Sequence, residues 1–213
     1  VGDTDLSPGL GEWVGGFERV IVNSLGAFQF VDRFRGKAKR LIWWIHETAV
    51  GFDTLATLVA DVPALFSACE SIWLGSPLCF RLAGRYASPD KLHLLLYGCE
   101  DRVVSHRPHP SGKVVFLLVG SVEQRKGQDV FLEAIGRLSD ELRRGAIFWI
   151  VGSPLPGNRA SEVFSLRVRS RAALLPEVRW FGSMPAQRLR QLYSEADVMV
   201  SASRDDPMPI VMI

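Results

Sequence analysis

Apolar and polar positions along the chain fall into two regimes separated by a short irregular stretch. In the first half, brief apolar runs alternate with patterns of helical spacing. Residues 20–25 (VIVNSL) form a run that closes at Gly26, and residues 27–34 have helix-like spacing. Residues 41–45 (LIWWI) are apolar without interruption, bounded by a basic loop and by His46-Glu47. Continuous rather than alternating apolarity predicts a strand covered on both faces, as in a parallel sheet. A helix is expected over about 53–60 and strands over 71–74 and 92–97. Between those strands, residues 77–85 predict a helix entered through Ser76 and Pro77, a capping residue followed by proline. Residues 103–113 (VVSHRPHPSGK) lose periodicity and predict a linker.

Beyond that stretch the alternation becomes regular. Residues 114–119 (VVFLLV) predict a buried strand. A helix over 128–142 would place Val130, Phe131, Ala134, Ile135, Leu138 and Leu142 on one face before Gly145 ends it. Strands follow at 146–151, 177–181 and 197–201, with helices at 160–174 and 185–196. Strand–helix repetition at this interval implies right-handed crossovers and an α/β, doubly wound parallel sheet.

Composition narrows the class. The chain has 213 residues, 47% hydrophobic and 23% charged, ordinary for a globular protein of one large or two small domains. With 25 Lys+Arg against 23 Asp+Glu, the net charge of +2 argues against a bulk nucleic-acid binder, and no nucleic-acid partner is expected. Cys69, Cys79 and Cys99 are odd in number and fit no metal spacing, so they read as reduced thiols of a cytoplasmic protein. No uncharged apolar run reaches the ~18 residues of a spanning helix, and the start has no signal-peptide pattern. The basic cluster Arg33, Arg35, Lys37, Lys39 and Arg40 has two readings: a solvated helix end, or attraction to an anionic membrane surface or phosphate-bearing acceptor. The chain opens on Val1 and stops at Ile213 inside an apolar run, from which a piece of a longer protein is expected.

Ligands of open α/β sheets bind beyond the carboxyl ends of the strands. After Val119 comes Gly120-Ser121-Val122-Glu123-Gln124-Arg125-Lys126-Gly127. Two cations beside a helix N-terminus oppose its dipole but, with backbone N–H groups, converge well on an anion. Gly120 would permit close approach of a ligand and Gly127 an unusual turn. The alternative is a basic surface loop, and the motif is not a Walker loop. After Ser201 comes Ala202-Ser203-Arg204-Asp205-Asp206-Pro207-Met208-Pro209. Pro209 suits a first helical turn, and the amides of Met208, Ile210 and Val211 would face a second phosphate; alternatively Asp205 and Asp206 are capping acids. His46, at a strand's carboxyl end, suits acid/base or hydrogen-bond work. His93 reads as structural, and His106 and His109 lack the further ligands of a metal site. The loop after Gly152 either closes over a ligand or is a variable surface insertion.

Taken together, these segments resemble a known family. Residues 116–138 (FLLVGSVEQRKGQDVFLEAIGRL) resemble the first β-α unit in the C-terminal domain of family-4 (group 1 type) retaining glycosyltransferases. Residues 178–211, through VRWFGSMP, LRQLYSEADVMVSAS and RDDPMPIV, resemble the same domain. WWIHE is similar to the His-bearing strand end of their N-terminal domain, and YGCED to the "nGvD" signature at the domain junction. The resemblance implies a GT-B-like architecture of two Rossmann-like domains, both incomplete: residues 1–105 on the acceptor side, a linker at 106–112, and a nucleotide-sugar-binding domain at 113–213.

It also implies transfer of a sugar from a nucleotide-sugar donor to a glycan or lipid-linked acceptor, with retention, no metal or other cofactor, and a role in polysaccharide assembly. The implied setting is cytoplasmic, with peripheral association at the inner face of the membrane. By resemblance, Lys126 contacts the donor diphosphate. Ser121 stands where the family often has Arg, which makes Arg125 the candidate second cation. Asp206 opens the family's Glu-x7-Glu motif and would stabilise charge at the donor sugar; the second acid, a ribose ligand, would fall at position 214. His46 matches the His near the reacting sugar, and the nucleotide base would lie near Gly182-Ser183-Met184. Two other readings stay open: a nucleotide-sugar 2-epimerase of the same fold and a non-catalytic scaffold. A piece of this length is expected to bind donor weakly and not to catalyse.

Overall fold

The unbroken apolar runs become the inner strands of two parallel sheets. The computed structural model describes residues 9–98 and 105–209. The chain divides into two compact units, Val1–Gly98 and Cys99–Ile213.

In the first unit, β1 (Val20–Asn23), β2 (Leu41–Ile45), β3 (Ser71–Leu74) and β4 (Leu92–Leu94) lie parallel in the order β1-β2-β3-β4. Their register aligns Val22, Trp43, Ile72 and Leu92 in one row across the sheet, all buried. Helices α1 (Gly9–Gly15), α2 (Phe28–Phe34), α3 (Ala49–Leu58), α4 (Val62–Ala68) and α5 (Pro77–Ala83) accompany the strands, and Phe52, Leu55, Leu65, Phe66 and Leu82 enter the same core. The Ser76 hydroxyl accepts from the Cys79 amide with Pro77 in the first turn of α5, the entry expected from the sequence. The Asp61 carboxylate caps α4 in the same way, accepting from the Ala64 amide.

Two expectations shift here. Helix α3 starts four residues before the expected 53, directly after an extended Thr48, and takes in Gly51. A Cβ at Gly51 would lie 2.7 Å from the Glu47 Cβ, so this helical turn closes tightly only with glycine. Strand β4 ends at Leu94 rather than at residue 97, because Tyr97 folds against Gly75, where a Cβ would meet its hydroxyl at 2.9 Å. No single helix among the described residues is long and apolar enough to cross a membrane. The bent pair α3 and α4 has the length and apolarity, but its large side chains fill the core.

The second unit contains β5 (Val114–Val119), β6 (Ala146–Val151), β7 (Val178–Phe181) and β8 (Val198–Met199), parallel in the order β7-β6-β5-β8. Helices α6 (Gln128–Arg137), α7 (Asp140–Arg144), α8 (Arg159–Ala172) and α9 (Ala186–Glu195) complete it. Leu118, Phe148 and Ile150 pack with Phe131, Leu132 and Ile135 of α6 and with Phe164 and Val168 of α8. Val115, Leu117, Ile147 and Trp149 pack in a separate cluster with Leu192 of α9. Alternate residues of β5 and β6 therefore serve two cores, which is why every position in these strands is apolar.

The helix expected over 128–142 is two helices. Leu138 leaves the helix in an extended conformation, and the Ser139 hydroxyl caps α7 through the Leu142 amide. Leu142, expected in the core, is 62% exposed. The described part of the expected linker is fastened to the second unit. The Arg107 amide donates to the Ser194 carbonyl (2.7 Å), and His106 Nε2 lies 3.1 Å from Asp197 Oδ1.

Candidate functional site

The strand order creates a switch point. From β5 the chain crosses to β6 on one side, and it returns later as β8 on the other, so the crevice lies at the carboxyl ends of β5 and β8. The turn 120–127 and the loop 201–209 meet there. Lys126 Nζ forms an ion pair with Asp206 Oδ2 across 80 residues of sequence. The side chains are 18% and 10% exposed, so the pair is largely shielded from solvent. With Ser201, Ser203 and Pro209 they line a small cleft.

Further contacts hold the turn and loop in register. Arg125 donates to the Asp205 carbonyl (2.9 Å) and to Glu123 Oε1 (2.9 Å), and its guanidinium lies 4.0 Å from Asp206 Oδ2. Arg204 grips Asp129 with both nitrogens (2.8 and 2.9 Å), and its amide donates to the Arg125 carbonyl (2.8 Å). Hydrogen bonding from Arg204 holds the Asp129 carboxyl below the ordinary carboxylate range despite its partial desolvation. The side chain of the fully buried Gln128 donates to the Ser121 carbonyl (2.8 Å), and Ser121 Oγ donates to Glu123 Oε1 (2.7 Å). Gly127 has a φ of +70°, and a Cβ there would run into the Ala202 carbonyl.

The Gly152 loop is bound into the same edge. Its Ser153 carbonyl accepts from the Val122 amide (2.9 Å), and its Ser153 hydroxyl accepts from the Ser183 amide (2.8 Å). The buried Ser161 hydroxyl donates to the Val122 carbonyl (2.6 Å) and accepts from the Leu155 amide (2.9 Å).

In the first unit, polar groups also gather at the carboxyl ends of the strands. His46 follows β2, and its Nε2 contacts the Asn23 amide oxygen at the end of β1. The His46 Nδ1 is buried and has no hydrogen-bond partner among the described residues. Burial lowers the His46 pKa, and the neighbouring Glu47 carboxylate opposes that shift. Glu47 accepts from Ser24 Oγ (2.5 Å) and from the His46 amide (2.9 Å), while its carbonyl accepts from the Cys79 thiol (2.9 Å). Ser24 has a φ of +79° and a ψ of 142°, a region nearly reserved for glycine. The Trp43 indole holds it there by donating to its carbonyl (2.9 Å). The rings of Trp44 and Tyr97 flank His46 at 4.9 and 5.6 Å. Burial, with help from the nearby Cys79 and Glu47, pushes the Tyr97 hydroxyl up to about 12.

Comparison with known proteins places this geometry. The profile of the family described as glycosyl transferases group 1 matches residues 101–213, more than half of the chain. The chain belongs to this family. No curated sequence matches the chain. Among solved structures it is similar to the UDP-forming α,α-trehalose-phosphate synthase of Burkholderia xenovorans, solved with glucose-6-phosphate. That match has a TM-score of 0.76 at 12% identity, covering 95% of this chain and 58% of the other. It is also similar to HepE of Anabaena in complex with UDP and glucose, with a TM-score of 0.73 at 12% identity, covering 95% and 57%. A third similar structure is the lipopolysaccharide outer core galactosyltransferase WaaB in its apo form, with a TM-score of 0.68 at 16% identity, covering 95% and 55%. This structural likeness establishes the GT-B fold, and the chain spans a little over half the length of each of these proteins.

The expected residues of the chain are placed as follows. Gly120, Ser121, Arg125 and Lys126 lie on the turn after β5, and Asp206 and Met208 on the loop after β8. Gly182 and the half-buried Met184 follow β7, reaching this edge through the Ser153–Ser183 bond. Ile210 and Val211 lie outside the described residues, as does Cys99. Arg125 is turned toward Asp205 and Glu123, so the loop, and not an open anion site, engages it here. Among the described residues no group of three His, Cys, Asp or Glu side chains forms a metal-ligand cluster. The basic cluster is partly paired, with Arg35 on Asp32 and Arg40 on Glu18 and Glu70. Sequence inspection missed Gln128, Asp129, Ser161 and Arg204. Gln128, a polar residue opening a helix whose inner face is apolar, left a faint signal; the long-range Arg204–Asp129 pair left none.

Proposed function

We propose that this chain carries the donor-binding and acceptor-side elements of a retaining glycosyltransferase, which transfers a sugar from a nucleotide-sugar donor to a glycan or lipid-linked acceptor. The observation that carries the reading is the convergence of Lys126 and Asp206 at the sheet's switch point. Family membership supports it, and so does the fold shared with HepE, a protein solved with UDP and glucose. In this reading Lys126 neutralises the departing diphosphate, which competes with Asp206 for the ammonium. An ammonium about 4 Å from a phosphate charge interacts by roughly 4 kcal/mol at an effective dielectric of about 20. Arg125 is the second cation, released from Glu123 when phosphate arrives, and the Met208 amide faces the same anion. Asp206, freed from Lys126, faces the positive charge that grows at the anomeric carbon. The base lies along Gly182 and Met184, and His46 serves the acceptor side by accepting a hydrogen bond or proton at neutral pH.

The test is calorimetry with UDP, GDP and ADP, followed by a transfer assay with the preferred nucleotide's sugar donor. One nucleotide should bind, and Lys126→Ala should weaken it at least tenfold. In a catalytically competent protein containing this chain the same change should lower turnover by about 10²–10³, the usual cost of one preorganised charge-stabilising donor. Labelled sugar that remains on the nucleotide as its epimer would replace transfer with epimerisation. Absence of binding by all three nucleotides would leave a scaffold.

A further inference from the structure

The second unit has another concave site, at the opposite edge of its sheet. It lies where β5, β6 and β7 begin, and Lys113, Arg144 and Arg179 line it together with Glu177, His109 and Ser111. Three cations against one carboxylate leave this pocket with a net excess of two positive charges. None of the three forms an ion pair with a described residue, unlike Arg125, Arg137, Arg143 and Arg204 of the same unit. Glu177 Oε2 is shielded from solvent and takes no hydrogen bond among the described residues, an unsatisfied acceptor within a cationic surround. His109 is oriented by its Nδ1 contact with Ser111 Oγ (2.7 Å) and by edge-on packing against Trp149 (5.8 Å). Ile147 and Pro176 add an apolar wall.

We propose that this pocket binds a small phosphorylated polyol. The phosphate monoester is taken by Lys113, Arg144 and Arg179, whose guanidinium forks suit its oxygens. Glu177, which lines the pocket, accepts at its other carboxylate oxygen, Oε1, from a hydroxyl of the polyol body, which distinguishes the ligand from a bare phosphate. The pocket is built from residues of the second unit alone and shares none with the Lys126–Asp206 cleft. Its ligand is thus separate from the sugar donor, and the proposal does not depend on the function assigned to that cleft.

Glycerol 3-phosphate and methyl phosphate are the probes, the second lacking free hydroxyls. Binding to the whole chain is measured by calorimetry and by the His109 ring resonances in a proton–carbon spectrum. The glycerol ester should bind at least fivefold more tightly than methyl phosphate and shift the His109 resonances. Arg144→Ala with Arg179→Ala should weaken both probes at least tenfold. Glu177→Leu, which removes the acceptor, should abolish the preference for the glycerol ester while keeping methyl phosphate binding. Lys126→Ala should change neither, which separates this pocket from the donor cleft. Equal affinity for the two probes, an arginine pair whose loss changes nothing, or binding lost with Lys126→Ala would each overturn the proposal. Circular dichroism of the arginine double variant guards against misfolding; if it is unfolded, the single variant Arg179→Gln takes its place with a threefold threshold.

Discussion

Replacing Gly127 by alanine tests how the candidate site is held together. Gly127 and Gly157 have nearly the same backbone angle, with φ of +70° and +72°. They differ in surroundings: a Cβ at Gly157 meets nothing within 4 Å, whereas one at Gly127 runs into the Ala202 carbonyl. The left-handed conformation costs an alanine about 1–2 kcal/mol, and the stiffer unfolded chain returns about 0.4–1 kcal/mol. Gly157→Ala should therefore destabilise by about 1 kcal/mol. Gly127→Ala carries the same cost and must also push the 201–206 loop away. That displacement endangers the Arg204 amide bond to Arg125 and the two-pronged Arg204–Asp129 pair. At about 0.5–1.5 kcal/mol for the backbone hydrogen bond and about 0.2–1 kcal/mol for the partly exposed ion pair, the total should reach about 2–3 kcal/mol. Urea unfolding followed by hydrogen exchange of β5 and β6 peptides isolates the second unit's transition. Nucleotide affinity should fall with Gly127→Ala and stay unchanged with Gly157→Ala. If the two variants agree within about 0.5 kcal/mol, the limit of additivity for independent sites, the close packing of turn and loop is refuted.

Two further outcomes follow from the contacts described. Because burial depresses the His46 pKa below its ordinary 6.5, protonation favours the unfolded first unit. Stability of that unit should thus be complete above about pH 6.5 and decline as the pH falls from there through the lowered value; His46→Gln should flatten that decline in urea midpoints for β2 peptides, and an unchanged slope would refute the assignment. Ser161→Ala strands the Val122 carbonyl and the Leu155 amide, at about 1–3 kcal/mol for each buried group left unsatisfied. Ser170→Ala, whose hydroxyl bonds only its own helix, should stay within about 0.5 kcal/mol of the parent; equal effects in the two variants would deny Ser161 its bridging role.

Much of the fold was legible because burial on both faces writes itself into consecutive residues. LIWWI, VVFLLV and AIFWIV needed no partner to declare themselves inner strands, and Ser76-Pro77 declared a helix start. Errors fell where a local pattern competed with tertiary contacts. Leu138 and Leu142 continue the helical spacing of α6, but Ser139 offers a cap that begins a new helix and leaves Leu142 in solvent. Tyr97 continues an apolar run, yet it turns to cover Gly75.

The candidate site divides along the same line. Its loops and their residue types were present in the sequence, since strand ends mark where ligands bind and Gly-rich basic turns mark anion sites. Sequence alone therefore determined the α/β class, the strand-end positions of His46, Lys126 and Asp206, and the family resemblance. Only the tertiary structure decided that β8 returns beside β5 rather than beside β7, and with it that Lys126 meets Asp206. Only the structure showed that Gln128, Ser161 and Arg204 brace the meeting point. The physical reason is that apolar periodicity is a local property carried by neighbouring residues. An ion pair spanning 80 residues depends instead on strand order, which the whole sheet settles at once.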